Sequence, residues 1–286
     1  MSQMSNRTRR GLRSLIVYLV TLALISTSIS TVFADEPSKD YKSSIDSALN
    51  WLSTNQSPDG SWGDGSNLRD TSEIAGYLKE NSYHADSVSK AGIWLCSQDA
   101  INNDFAAHEL QFINDKKTHN EMLNNLLSTQ NDDGGWGLAQ YFESDVLDTV
   151  IVLEALLSEK SPNLEAIKKG ISYIINNQDS SGGWSYLPGS SCEIFLTAKT
   201  ALLLGNFTRI TGLGGTELST SIKRSSEYLV SNQLPDKTWG TDIDSLPGTL
   251  IAYRVLLRGS GIKAVSSLED TILSLQDKDG SFSKDA

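Results

Sequence analysis

Gln130–Gly137 reads QNDDGGWG, and the chain writes this phrase again and again. QSPDGSWG begins at Gln56, QDSSGGWS at Gln178 and QLPDKTWG at Gln233, and a weaker copy, QDKDGSF, begins at Gln276. Each copy follows a short apolar run of helical character (WLSTN, LLST, YIINN, YLVSN, ILSL). Each therefore reads as a helix end, a glutamine, a tight turn and a fixed aromatic. The glutamines are spaced by 74, 48, 55 and 43 residues, and periods near 50 mark a repeat architecture of stacked supersecondary units. The step of 74 is too long for one unit and predicts a degenerate repeat inside it.

On either side of each turn the pattern is helical. Ile45, Ala48, Leu49 and Leu52 keep the i, i+3, i+4, i+7 spacing before the first turn. After each turn a polar loop leads to a second apolar run: SEIAGYLKE behind Asp70-Thr71, SDVLDTVIVLEALL from Ser144, SCEIFLTAKTALLLG from Ser191 and DSLPGTLIAYRVLLRG from Asp244. Asp70-Thr71 and Asp148 are expected to cap these helices. The second helices are apolar all round, as buried helices are. The first helices are charged on one side, as Glu165, Lys168 and Lys169 show, and are expected to form an outer layer. Between Ser82 and Thr118 the turn phrase is missing but helical patterning continues in DSVSKAGIWLCSQ and DFAAHELQFIN, which predicts a hairpin whose turn has decayed. The expected fold is all-α: five helix pairs and a sixth first helix near residues 264–275, with the last hairpin truncated.

Residues 1–34 have the three parts of a secretory signal: Arg7, Arg9, Arg10 and Arg13, then the apolar run LIVYLVTLALI from Leu15, then Val32-Phe33-Ala34. Cleavage near Ala34 predicts a secreted or cell-surface protein whose residues 35–286 form one repeat domain; an uncleaved anchor is the alternative. The net charge of −11 argues against nucleic acid as a partner. Cys96 and Cys192 fall in separate repeats and are expected to be buried thiols, a single bridge being the alternative. His84, His108 and His119 contain no His-x-x-x-His pair, so neither a metal nor another cofactor is expected. The acidic turns lack the ligand series of a calcium loop.

The Gln, the short spacer and the Gly-x-Trp at Gln56–Trp62, Gln130–Trp136, Gln178–Trp184 and Gln233–Trp239 resemble the QW motif of squalene-hopene and oxidosqualene cyclases. The layout is similar to prenyltransferase and squalene oxidase repeats generally. The resemblance implies an α/α toroid, two concentric layers of helices around a cavity, in which these residues and Gln276 fasten repeats. The glutamine amide would bond backbone of the neighbouring unit under cover of the indole. The resemblance also implies a proton donor in a DxDD motif at the start of an inner helix. The matching stretch is Asp145-Val146-Leu147-Asp148-Thr149, and its third position, the donor's, is Leu147. Asp242-Ile243-Asp244-Ser245 is a second candidate. Asp145, Asp148, Asp242 and Asp244 are thus the candidate catalytic residues, each without the full motif.

Protein prenyltransferase β subunits need an Asp-x-Cys and a distant His, whereas Cys192 is preceded by Ser190 and no His follows His119. Cys192-Glu193-Ile194 is not the Cys-Gly-Glu-Gln of thioester relatives. The expected function is a non-catalytic ligand-binding or scaffold module with Asp148, Thr149, Thr197 and Tyr253 near the cavity mouth. Its ligand would be a small molecule, a polymer or a protein, the chain a monomer, with association to the cell envelope. The alternatives are a terpenoid cyclase-like or carbohydrate-active enzyme using cavity carboxylates, and a ligand-capturing toroid similar to the cobalamin carriers.

Overall fold

The computed structural model describes residues 41–63, 67–80, 82–99, 101–186, 189–239, 245–258, 273–274 and 276–281. The expected secretory leader, Asp242 and Asp244, and most of the expected sixth first helix lie outside the described residues. The elements in order are α1 (Tyr41–Thr54), α2 (Asn67–Glu80), α3 (Ala85–Leu95), α4 (Asn103–Leu110), α5 (Lys116–Ser128), α6 (Val146–Ser158), α7 (Leu164–Asn176), α8 (Ile194–Thr211), α9 (Thr216–Ser231) and α10 (Ser245–Arg258). No strand occurs among the described residues; an isolated antiparallel bridge joins Trp136 and Asp145. The hairpin with the decayed turn is present as α3 and α4.

The chain divides into two compact units, one formed by residues 1–95 and 234–286, the other by residues 96–233. In the second unit α6 packs against both α4 and α8, and α5, α7 and α9 pack behind them. The composition of each helix explains its layer. In α6, Val146, Val150, Ile151, Val152, Leu153, Leu156 and Leu157 are all buried, which leaves a narrow accessible stripe. In α7, burial is confined to one face, Ala166, Ile167, Gly170, Ile171, Tyr173 and Ile174, while Glu165, Lys168 and Lys169 stay in water. Each isoleucine so buried contributes about 1.5–3 kcal/mol of transfer free energy.

The repeated phrase is a clasp joining three helices. Its glutamine donates twice, to the glycine carbonyl of its own turn and to a carbonyl in an early turn of the next outer helix. The pairs are Gln56 to Gly60 and Ser87 (both 2.9 Å), Gln130 to Gly134 (2.8 Å) and Ala166 (2.9 Å), and Gln178 to Gly182 (2.8 Å) and Ser221 (3.0 Å). Gln276 does the same to Gly280 and, across the sequence, to Ser44 in α1. The indoles of Trp62, Trp136 and Trp184 are fully buried and donate to Leu52, Leu126 and Ile174, carbonyls near the end of the preceding outer helix. The tryptophan backbone is held by a threonine of the following inner helix, whose hydroxyl accepts from the N–H and donates to the C=O. Thr71, Thr149, Thr197 and Thr249 serve Trp62, Trp136, Trp184 and Trp239 in this way.

A fixed register on the neighbouring helix receives each clasp. Three residues beyond the accepting carbonyl, the backbone passes so close to the turn glycine that a Cβ on Gly134 would lie 2.6 Å from the Lys169 carbonyl oxygen, and one on Gly60 would lie 2.5 Å from that of Lys90. The next residue is small: Ala48, Ala91, Gly170 or Ser225. A Cβ on Gly170 would press on the Trp136 ring. Seven residues beyond the acceptor stands an aromatic with a polar handle. Tyr173 and Tyr228 donate to the Ser144 and Cys192 carbonyls, while the indoles of Trp51 and Trp94 bond Asp279 and Asp59. Helix α5 has neither feature, carrying Met122 and Asn125 at these positions, and the turn before it lacks the clasp. The units divide next to that turn and next to the Gln233 turn, where Lys237 occupies the glycine position with φ +72°.

Two expectations about helix starts are corrected. Asp70 and Thr71 lie inside α2, which begins at Asn67, and Asp148 lies in the first turn of α6 while Asp145 caps it, accepting from the Asp148 N–H at 2.9 Å. The reason is common to both: the threonine must sit four or five residues into its helix to reach the tryptophan backbone. Both cysteines are unbridged, as expected of thiols, but Cys96 is exposed and Cys192 is only half-buried.

Candidate functional site

Asp145–Thr149 is built by the clasp. The Asp145 N–H donates to the Trp136 carbonyl at 3.1 Å, which sets the residue where its carboxylate can cap α6. The Asp148 side chain is then turned inward and is 7% exposed. Thr149 is fully buried with its hydroxyl engaged by Trp136, and Thr197 is engaged by Trp184 in the same way. Both threonine hydroxyls therefore fasten turns. Tyr253 is fully buried in α10 and belongs to the first unit, whereas Asp148, Thr149 and Thr197 belong to the second.

Leu147 occupies a different environment from its neighbours. It is half-buried and lies on the accessible stripe of α6 with Glu154 and Ala155, a spacing of one helical face. On α8 the corresponding stripe holds Phe195, Lys199 and Asn206. The two stripes are joined by an ion pair, Lys199 Nζ to Glu154 Oε2 at 2.9 Å, with the lysine side chain 16% exposed and the glutamate 38%. The face made by α6 and α8 is thus apolar apart from this pair and Asn206. Sequence reading missed the pair because nothing in either helix alone sets the two residues side by side.

A second polar cluster lies on α4, where Asp104, His108 and Glu109 are all buried. His108 Nε2 and Asp104 Oδ1 are 3.1 Å apart, one helical turn from each other. Glu109 is 2% exposed and its Oε1 has no hydrogen-bond partner. Burial, helped by the Asp99 carboxylate, pushes its pKa up to about 7, because the charged form loses its hydration. Burial likewise raises the Cys96 thiol, with Glu109 adding to the shift. The short run NDFAAHEL holds three ionisable residues in a buried helix, a signal that sequence reading left unused.

In the turns, carboxylates are pulled the other way. Asp59 accepts from the Ser61 N–H at 3.0 Å, and this bond chiefly holds its pKa below the usual range. Tyr173 is pushed up to about 12 by burial and by Asp133 and Asp145, in keeping with its structural bond to Ser144.

No family model matches the chain. Protostadienol synthase A of Arthroderma gypseum is 33% identical over 106 residues, 32% of this chain and 14% of that protein, so the match spans only a small part of the relative. Among solved structures, the type II terpene cyclase MstE from Scytonema superposes with a TM-score of 0.63 at 12% identity, covering 87% of each chain. A possible GH105 family member from Salmonella enterica gives a TM-score of 0.55 at 13% identity, covering 85% of this chain and 82% of that one. The fold is the terpenoid cyclase-like α/α toroid.

Proposed function

We propose that this chain is an exported α/α-toroid module that binds an apolar, isoprenoid-like ligand on the face formed by α6 and α8 and does not protonate it. The observation that carries the reading is Leu147. Its position in the Asp145–Thr149 stretch is the one that a proton donor would need, it is on the accessible stripe, and it is a hydrocarbon. Asp148, the nearest carboxylate in the chain, is buried behind that stripe. An alkene is protonated only by an acid touching it, so this face offers van der Waals contact and no acid at that point. Export rests on the residue 1–34 pattern, which supports it through composition alone.

Binding of squalene, followed by tryptophan fluorescence and paired with product analysis after long incubation, tests the proposal. Saturable binding that weakens in Leu147→Trp, with squalene recovered unchanged, is expected. A cyclised product whose formation is lost in Asp148→Asn would overturn the reading. A carbohydrate-active reading has one observation in its favour, the likeness in fold to the possible GH105 member. On the same face its carboxylate would be Glu154, and polysaccharides in the same assay, with Glu154→Gln as control, test it.

A further inference from the structure

The loop that leads into α6, Gly137–Ser144 (GLAQYFES), turns large apolar side chains outward. Tyr141 is 92% exposed, Phe142 55% and Leu138 42%. Ile101, 74% exposed, belongs with them, because Asn103 two residues on donates its N–H to the Leu138 carbonyl at 2.8 Å and its amide to the Gly137 carbonyl at 2.9 Å. Scattered apolar residues on a surface need no explanation, but a contiguous group does.

This loop is braced. The Phe142 N–H donates to the Ala139 carbonyl at 3.0 Å, and Asn131 donates to the Phe142 carbonyl and to Ser144 Oγ, both at 2.9 Å. Ser144 Oγ in turn donates to Asp133 at 2.8 Å. Gly137 has no room for a Cβ against the Glu143 carbonyl. Tyr141 is held with φ +71°, a left-handed conformation that a bulky residue adopts only under constraint. A rigid loop that presents aromatic side chains has little ordering entropy left to lose on binding, as an anchor of an interface requires.

The surroundings are acidic. Asp99, two residues before Ile101, Asp132, six before Leu138, and Glu143, next to Phe142, are all exposed. Carboxylates around exposed rings suit one class of partner, a cation on an apolar stem, which gains both ion pairing and attraction to the ring faces. Anionic lipid would be repelled, and a neutral saccharide or zwitterionic membrane would gain nothing from the acids.

We propose that the Leu138–Phe142 loop, with Ile101 beside it, docks a basic, apolar peptide segment of a partner protein. This surface is separate from the α6–α8 face and does not depend on what that face binds. The test is fluorescence anisotropy of the full chain with a labelled synthetic peptide alternating lysine with leucine and phenylalanine. A glutamate-for-lysine counterpart, phosphatidylcholine vesicles and cellohexaose are the comparison arms. The lysine peptide should bind, weaken as salt is raised, and lose at least about tenfold in affinity in the Tyr141→Ser, Phe142→Ser double variant. Glu143→Gln should weaken it by a few-fold, and the thermal melt of each variant should match the parent. The proposal is overturned if the lysine peptide fails to bind or binds the double variant equally well. It is equally overturned if vesicles or cellohexaose bind through the same two side chains without salt dependence, which would reassign the surface to a membrane or a saccharide.

Discussion

Gly134→Ala should be far more damaging than an alanine at another glycine of similar backbone. Gly134 has φ +91°, and its added Cβ would lie 2.6 Å from the Lys169 carbonyl oxygen. Gly189 has φ +77° with nothing within 4 Å of the corresponding position. The left-handed backbone costs each alanine roughly 1–2 kcal/mol. At Gly134, α7 must also retreat, which loses the Gln130–Ala166 bond, worth about 1 kcal/mol, and loosens Gly170 from the Trp136 ring. The expected cost is about 3 kcal/mol for Gly134→Ala and about 1 kcal/mol for Gly189→Ala. At 2–4 °C per kcal/mol for a domain of this size, the melting temperature should fall by about 6–12 °C in the first and about 2–4 °C in the second. Denaturant unfolding followed by tryptophan fluorescence gives the same comparison as midpoints. Adding Gln130→Ala to Gly134→Ala should cost less than it does alone, since the bond is already broken. Equal shifts in the two glycine variants, or full additivity with Gln130→Ala, would refute the docking register.

Lys237→Gly should stabilise the chain by about 1 kcal/mol, because it removes a non-glycine residue from φ +72°; a lower melting temperature would count against the strain. Glu109 has a folded-state pKa raised from 4.5 to about 7, so the folded state holds its proton where the unfolded state has lost it. Stability should be fullest below pH 4.5 as far as this group is concerned, decline as pH rises toward about 7, and be flat above. Glu109→Gln should remove that decline, and a pH–stability profile unchanged by it would show the group is solvated. Residues 96–233 expressed alone should melt cooperatively, since both intact clasps of that unit lie within it; a non-cooperative melt would mean that the compact unit is not a folding unit.

The clasp donors were legible in sequence because each needs a particular side chain: Gln for two N–H donors, Trp for a buried indole N–H. Their acceptors were not, because Ser44, Ser87, Ala166 and Ser221 take part through backbone carbonyls that any residue supplies. What marks the receiving helix is the small residue four positions on and the aromatic seven positions on, which is visible only once the register is known. Asp145 and Asp148 could each cap a helix by residue type; the choice follows from Thr149 having to reach Trp136, a tertiary demand. That α6 is apolar all round followed from the sequence pattern, while the half-buried stripe with Leu147 on it, its counterpart on α8 and the Lys199–Glu154 pair depend on how the two helices pack. The exposed Tyr141 and Phe142 carry no periodic signal and belong to a loop whose conformation is set by bonds to Asn131 and Gly137.

The tryptophan–threonine bond spans 9, 13, 13 and 10 residues in the four turns where it is made. It closes each inner-helix loop at its root, whatever lies between. Lengthening such a loop from 9 to 13 residues costs only about 0.3 kcal/mol of closure entropy, so natural selection can rewrite the segment's length and chemistry with almost no penalty in foldability. A fastening at the root makes each of these segments an exchangeable part, and the same property would let a chosen recognition loop be grafted between Trp136 and Thr149.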